Sequence, residues 1–159
     1  GGGGGGGGRG VWAGRGGGGR GRVLNTTITA SLFTGALAMT QTHDANCIFC
    51  KIAAGKIPSR KVYEDEELLA FHDIAPWAPV HFLIIPKAHL ASMADLTAEH
   101  ERIMGKTMVL APKLAAHEGC HPYPDGGFRV VVNTGTHGGQ EVHHLHVHVM
   151  GGPRPWARG

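Results

Sequence analysis

From Lys61 onward, apolar residues fall in short runs separated by turn formers, with one longer stretch at helical spacing. Residues 61–63 (Lys-Val-Tyr) and 68–72 (Leu-Leu-Ala-Phe-His) predict two strands joined by the acidic turn Glu64-Asp65-Glu66-Glu67. Pro76 and Pro79 force residues 73–79 open as a loop, and residues 80–85 (Val-His-Phe-Leu-Ile-Ile) predict a strongly apolar strand that ends at Pro86. Thr97 is placed to cap a helix, with Glu99 and Glu101 in its first turn, where negative charge suits the helix dipole. Ile103, Thr107, Leu110, Ala111 and Leu114 then recur on one face, which predicts a helix of about twenty residues, kinked at Pro112 and closed by Gly119. Upstream, residues 47–54 suit one or two helical turns stopped by Gly55, and Ile57-Pro58 starts an extended connection. Residues 128–133 predict a further strand, followed by a glycine loop at 134–139.

The last predicted strand is the most unusual. From His144 the chain alternates strictly: His144, His146 and His148 are separated by Leu145, Val147 and Val149. In an extended strand the three imidazoles share one face at intervals of roughly 7 Å, while the aliphatic residues face a core. A helix would scatter them. One histidine on a strand is ordinarily a satisfied polar residue, but three on one face, each needing a partner if buried, are hard to explain as packing. The element order is strand, strand, strand, helix, strand, strand. Short links between strands favour antiparallel pairing, so the fold class is α+β.

Composition changes this picture only at the N-terminus. Residues 1–38 hold 16 of the 27 glycines, four arginines and no acidic residue. That segment is low-complexity and is expected to lie outside the domain, which then spans residues 39–159. Upstream sequence ahead of a start at Met39 is the favoured account; a signal peptide ending at Ala36-Leu37-Ala38 and an Arg-rich transit peptide are the alternatives. The net charge of +3 also comes from this tail: without it, 15 − 4 = 11 basic residues stand against 12 acidic ones. Nucleic acid is therefore not an expected partner of the domain, and no stretch is long and apolar enough to span a bilayer. The three cysteines, Cys47 and Cys50 in a C-x-x-C pair and Cys120 alone, argue for a reducing compartment and a cytoplasmic location. Cys120, His100, His117 and His121 are expected at the surface or in loops.

Two chemistries suit a row of histidines: a metal site, or covalent catalysis in which an imidazole attacks phosphorus. Gly138-Gly139-Gln140, running directly into the row, favours the second, because its backbone amides could receive an anion while imidazoles beside the middle ring stabilise charge or move a proton.

The run from His144 to Met150 matches the H-φ-H-φ-H-φ-φ signature of the histidine triad (HIT) family, and the chain resembles the branch of it called Hint. The resemblance extends from about Cys47 to Trp156 and includes residues 48–52, 55–58, 70–74, 85–89 and 138–142 in the family's order. It implies a five-stranded antiparallel sheet with one long and one short N-terminal helix, assembled as a homodimer with the long helix at the interface. It also implies hydrolysis of purine nucleoside 5′-phosphoramidates, with His146 as the nucleophile that forms a nucleotidyl-histidine. His148 matches the residue that contacts the phosphate and helps the leaving group, and His144 completes the catalytic row. Asp73 matches the carboxylate that binds the ribose hydroxyls, flanked by His72 and Ile74. Asn133, Gly139, Gln140 and Val142 match phosphate-side residues, and Glu141 stands where some relatives carry Ser, which leaves the leaving-group preference open. His143 points away from the triad. The resemblance implies no cofactor for catalysis. In relatives that bind zinc, the ligands match Cys47, Cys50, His89 and His144, so a structural zinc is a further expectation. The alternatives are a dinucleoside polyphosphate hydrolase of Fhit type and a nucleotide-binding module that acts through a protein partner.

Overall fold

The structure is a computed structural model and describes residues 42–156. The expectations for residues 1–38 and Met39 lie outside the described residues. Five strands form one antiparallel sheet in the order β1-β2-β3-β5-β4: β1 (Lys61–Glu64), β2 (Leu68–His72), β3 (Val80–Pro86), β4 (Phe128–Val131) and β5 (Val147–Gly151). A short helix α1 (Ile48–Ala53) precedes the sheet, and a long helix α2 (Glu101–His117) lies between β3 and β4 in the chain. The α+β architecture expected from the pattern is the one observed.

Period-2 alternation divides the sheet into two faces. One face presents Leu68, Ala70, Phe82, Ile84, Val147 and Val149, and packs on Ile103, Ala111, Leu114 and Ala115 of α2. The other presents Leu69, Phe71, Leu83 and Ile85 to Cys47, Phe49, Cys50 and Ile52 in and beside α1. Thr107, the one polar residue in the predicted helical stripe, is buried and donates its hydroxyl to the Ile103 carbonyl at 2.8 Å. A single 3₁₀ turn (Ala98–His100) leads into α2. The Thr97 amide there donates to His100 Nδ1 at 3.0 Å, so His100 caps a helix rather than simply lying on the surface. Pro112 does not interrupt the helix. Gly119, at φ +92°, turns the chain out of it, and the Cys120 amide returns to the Ala115 carbonyl at 2.9 Å. This turn buries Cys120 against β5 with 7% exposure, contrary to the surface position expected; a Cβ on Gly151 would lie 2.2 Å from its sulfur.

The histidine strand begins later than its alternation suggests. The ladder between β3 and β5 runs from Val80↔Gly151 to Ile84↔Val147 and stops there. The next residues of β3 lead to Pro86, which has no amide to donate. The chain before Val147 instead bonds elsewhere: the Leu145 amide donates to the Leu90 carbonyl at 2.6 Å, and His144 Nε2 donates to the Pro86 carbonyl at 2.8 Å. His144 and His146 therefore precede β5 rather than belonging to it. Exposure does not alternate along the segment: His144, Leu145, His146, Val147 and His148 are all buried.

Candidate active site

A cavity of about 290 Å³ opens between α1, the loop after β2, and the segment leading into β5. Phe49, Ile52, Phe71 and Leu83 form its apolar floor, and His146 and His148 stand on one wall. Asp73, Ile74 and Trp77 approach from the loop after β2, and Asn133, Gly139, Glu141 and Val142 from the opposite side. Asp73 and His146 thus border the same space.

The hydrogen bonds assign the tautomers. His146 Nδ1 lies 2.6 Å from the His144 carbonyl, which can only accept, so Nδ1 carries the proton and Nε2 holds the lone pair. The amide of Trp77 donates to His81 Nδ1 at 3.0 Å, so neutral His81 carries its proton on Nε2. That proton is donated to His148 Nδ1 at 2.9 Å, and His148 in turn carries its proton on Nε2. His148 Nε2 is buried and has no partner among the described residues. A basic nitrogen on His146 and a donor nitrogen on His148 therefore sit on one wall, with ring centroids 4.9 Å apart. Burial, reinforced by the neighbouring imidazoles of His146 and His81, pushes the His148 pKa down to about 4. Burial also lowers His81, against the pull of Asp73, whose Oδ2 lies 3.6 Å from His81 Nε2.

His144 does not share this wall. Its imidazole is fully buried beside the cysteines, with Nδ1 at 3.4 Å from Cys47 Sγ and 3.6 Å from Cys50 Sγ. Donation from its Nε2 to Pro86 leaves Nδ1 with the lone pair, turned toward the two thiols. Burial lowers its pKa to about 4. His144 reaches the wall formed by His146 and His148 only through its backbone carbonyl. His89 Nδ1 lies 3.3 Å from Cys50 Sγ, and one ligand atom from each of Cys47, Cys50, His89 and His144 lies within 4.8 Å of the others.

Three other expectations change. The amides of Gly138, Gly139 and Gln140 are donated to the carbonyls of Gly135, Thr136 and Gly135, closing a 3₁₀ turn (Thr136–Gly138), so they are not free for an anion. Gln140 does not line the cavity: its amide nitrogen bonds the Ala91 and Val142 carbonyls at 2.6 and 3.0 Å, and its oxygen accepts from the Gly135 amide at 2.9 Å. It holds the loop in shape. His72 borders the cavity, but its Nε2 is engaged by Glu118 at 2.9 Å and Arg60 at 3.1 Å. Asp73 combines two roles: Oδ1 accepts from the Ala75 amide at 2.8 Å and shapes the loop, while the carboxylate borders the cavity. His143 is exposed.

Sequence reasoning missed His81 and Trp77. A lone histidine inside the apolar run 80–85 looks like a core residue. The available signal was that a buried imidazole requires a partner, and none is present within the run.

This fold and site define an α+β domain whose last strand and preceding segment carry an imidazole pair into a pocket beside a short helix. The chain belongs to the HIT domain family, whose model matches residues 54–154. It is 51% identical over 108 residues to Protein HitA of Neisseria gonorrhoeae, covering 68% of this chain and 97% of that protein. It is 46% identical over 105 residues to the purine nucleoside phosphoramidase of Escherichia coli K12, covering 66% and 86% respectively. Among solved structures, it superposes on a HIT family hydrolase from Legionella pneumophila with a TM-score of 0.65 at 45% identity, covering 72% of this chain and all of that one. A histidine triad protein from Clostridium difficile gives 0.66 at 45% identity, covering 72% and 96%. Among the described residues no helix is long and apolar enough to cross a membrane.

Proposed function

We propose that the protein is a hydrolase of purine nucleoside 5′-phosphoramidates, acting through a nucleotidyl-histidine on His146. The observation that carries this reading is the pair of opposite tautomers on one cavity wall: His146 with a basic Nε2 and His148 with an Nε2–H lacking a partner. Relatives named as HIT family hydrolases support the hydrolase class, and the E. coli relative supports the phosphoramidate substrate.

In this mechanism the nucleoside lies on the apolar floor, with its ribose hydroxyls against the Asp73 carboxylate and its phosphate beside the Glu141–Val142 segment. The anionic phosphate favours an added proton on the buried His81–His148 pair. His146 Nε2 then bonds to phosphorus, the P–N electron pair departs with nitrogen, and the nitrogen takes the proton from His148 Nε2 as the amine leaves. Next, water gives a proton to His148 Nε2, and its hydroxide bonds to phosphorus. The P–Nε2 bond breaks and the nucleoside monophosphate is released. Positioning supplies much of the rate, since His146 is held by the His144 carbonyl and by the edge contact of Phe49 at 5.3 Å.

The donor set of Cys47, Cys50, His89 and His144 fits a structural zinc, because the two thiols and the Nδ1 atoms that face them converge and the opposite nitrogen of His144 is already bonded. Bound there, zinc would brace the start of α1 against the segment before β5. We further propose a cytoplasmic homodimer through α2, which exposes Met108 and Val109 at 41% and 61%. Light scattering at micromolar concentration tests the dimer, and a monomer would refute it.

The reaction is tested by following AMP release from adenosine 5′-phosphoramidate and from lysyl-AMP, with a dinucleoside triphosphate as the competing substrate. Expected are release from the phosphoramidates and an intact-mass gain of one AMP group that is absent in His146→Ala. Preference for the dinucleotide, or turnover without the adduct, would overturn this reading.

A further inference from the structure

We propose that Trp77 is the positioning residue of His148, and that it sets how strongly turnover depends on the basicity of the leaving amine. This rests on the phosphoramidase reading above. It adds the ring stacking of Trp77 on His148 to the hydrogen bonds that led there.

His148 is fixed along one axis by its hydrogen bond from His81. A ring held at Nδ1 alone can still swing about that contact and carry its Nε2–H off line. Trp77 removes this freedom. Its indole stacks on the His148 ring at 5.1 Å with an interplanar angle of 18°, and the edge-on His146 ring stands 4.9 Å away at 70°. The donor ring therefore lies between an indole face and the nucleophile. The same residue fixes the proton, because the Trp77 amide sets the tautomer of His81 and through it that of His148. One residue thus governs two properties of the donor nitrogen: its backbone decides that Nε2 carries the proton, and its side chain decides where that proton points. The prolines at 76 and 79 stiffen the loop that delivers both.

Side-chain substitution separates the two, since Trp77→Ala and Trp77→Phe keep the amide. Proton donation matters most when the departing amine is strongly basic and least when it is a stable anion. The test is single-turnover adduct formation from a series of AMP phosphoramidates, running from alkylamine to nitroaniline leaving groups. Trp77→Ala is expected to slow the alkylamine members by about tenfold and to leave the nitroanilide nearly unchanged, with less effect on KM than on kcat. Trp77→Phe is expected to fall between Ala and wild type. Independently of turnover, the His148 ring protons of the wild-type protein are expected to be shifted upfield by the indole in NMR spectra, and the shift to vanish in Trp77→Ala. An equal loss across the series, a loss confined to KM, or ring protons unmoved by the substitution would overturn the proposal. Should the wild-type protein release AMP from no member, the phosphoramidase reading fails, and the ring-proton shifts alone decide whether Trp77 holds His148.

Discussion

The two faces of the sheet are built from the same strands and solve opposite problems. Toward α2, Phe82, Ile84, Val147 and Val149 are at most 1% exposed and meet an aliphatic stripe. That face is dry, and burial is its main contribution. Toward α1, the same strands carry Leu83 and His148, and the approach to β5 adds His144 and His146. That face buries imidazoles that would rather be hydrated, and it offsets this by giving His144 Nε2 and His146 Nδ1 a carbonyl each and by linking His81 to the Trp77 amide and to His148. His148, whose Nε2 has no partner among the described residues, lines the cavity. One side of the sheet is wholly apolar at its core, and the other combines an apolar cluster with buried imidazoles beside a cavity.

Substitutions on each side can break this division. The largest effect is expected for His146→Ala on the α1 face: a loss of about 10⁴-fold or more in kcat, with a denaturation midpoint at or above that of wild type. Loss of fold together with activity would show that the faces are not separable. Phe82→Ala on the α2 face should do the reverse, costing about 3–5 kcal/mol of stability in urea titration while the surviving folded protein keeps its kcat.

Acid sharpens the contrast. The folded pKa of His148 is about 4, below its ordinary 6.5, so the unfolded chain binds more protons between those values. Its contribution is complete above pH 6.5 and is lost as pH falls toward 4, by about 3 kcal/mol over the whole window. His81 and His144 are lowered by the same cause and add to the slope. Glu67, held near 2 by Arg102 and Lys106, contributes fully above its ordinary 4.5 and loses that contribution as pH falls from there toward 2. Melting temperatures between pH 6.5 and 4.5 should therefore report the α1 face, and His148→Asn should flatten the curve. The smallest effect is expected for Asp73→Asn, which keeps an acceptor for the Ala75 amide and loses the charge: a rise in KM of about tenfold, with little change in melting temperature.

The strands and the long helix were legible because periods of two and 3.6 persist even when packing partners are unknown. The gathering of Asp73 and His146 at one cavity was legible from motif order. The start of β5 was not, since it depends on where the neighbouring strand runs into Pro86, 58 residues from His144 along the chain. The anion cradle expected from Gly138-Gly139-Gln140 failed for a local reason: consecutive glycines also suit a tight turn, and the turn consumed the amides. His81 and Trp77 were missed because each is solitary in sequence and acquires meaning only across β3, β5 and the proline loop.

The carbonyl of His144 has a bearing on how this protein can be probed. Alanine scanning removes side chains and leaves every peptide oxygen in place, so His144→Ala interrogates the cysteine cluster and says nothing about the acceptor that aims His146. Only a change in the main chain reaches it, such as an ester in place of the amide between residues 144 and 145, which weakens the oxygen. That exchange also deletes the Leu145 donor to Leu90, so it requires a second ester, after residue 90, as its control.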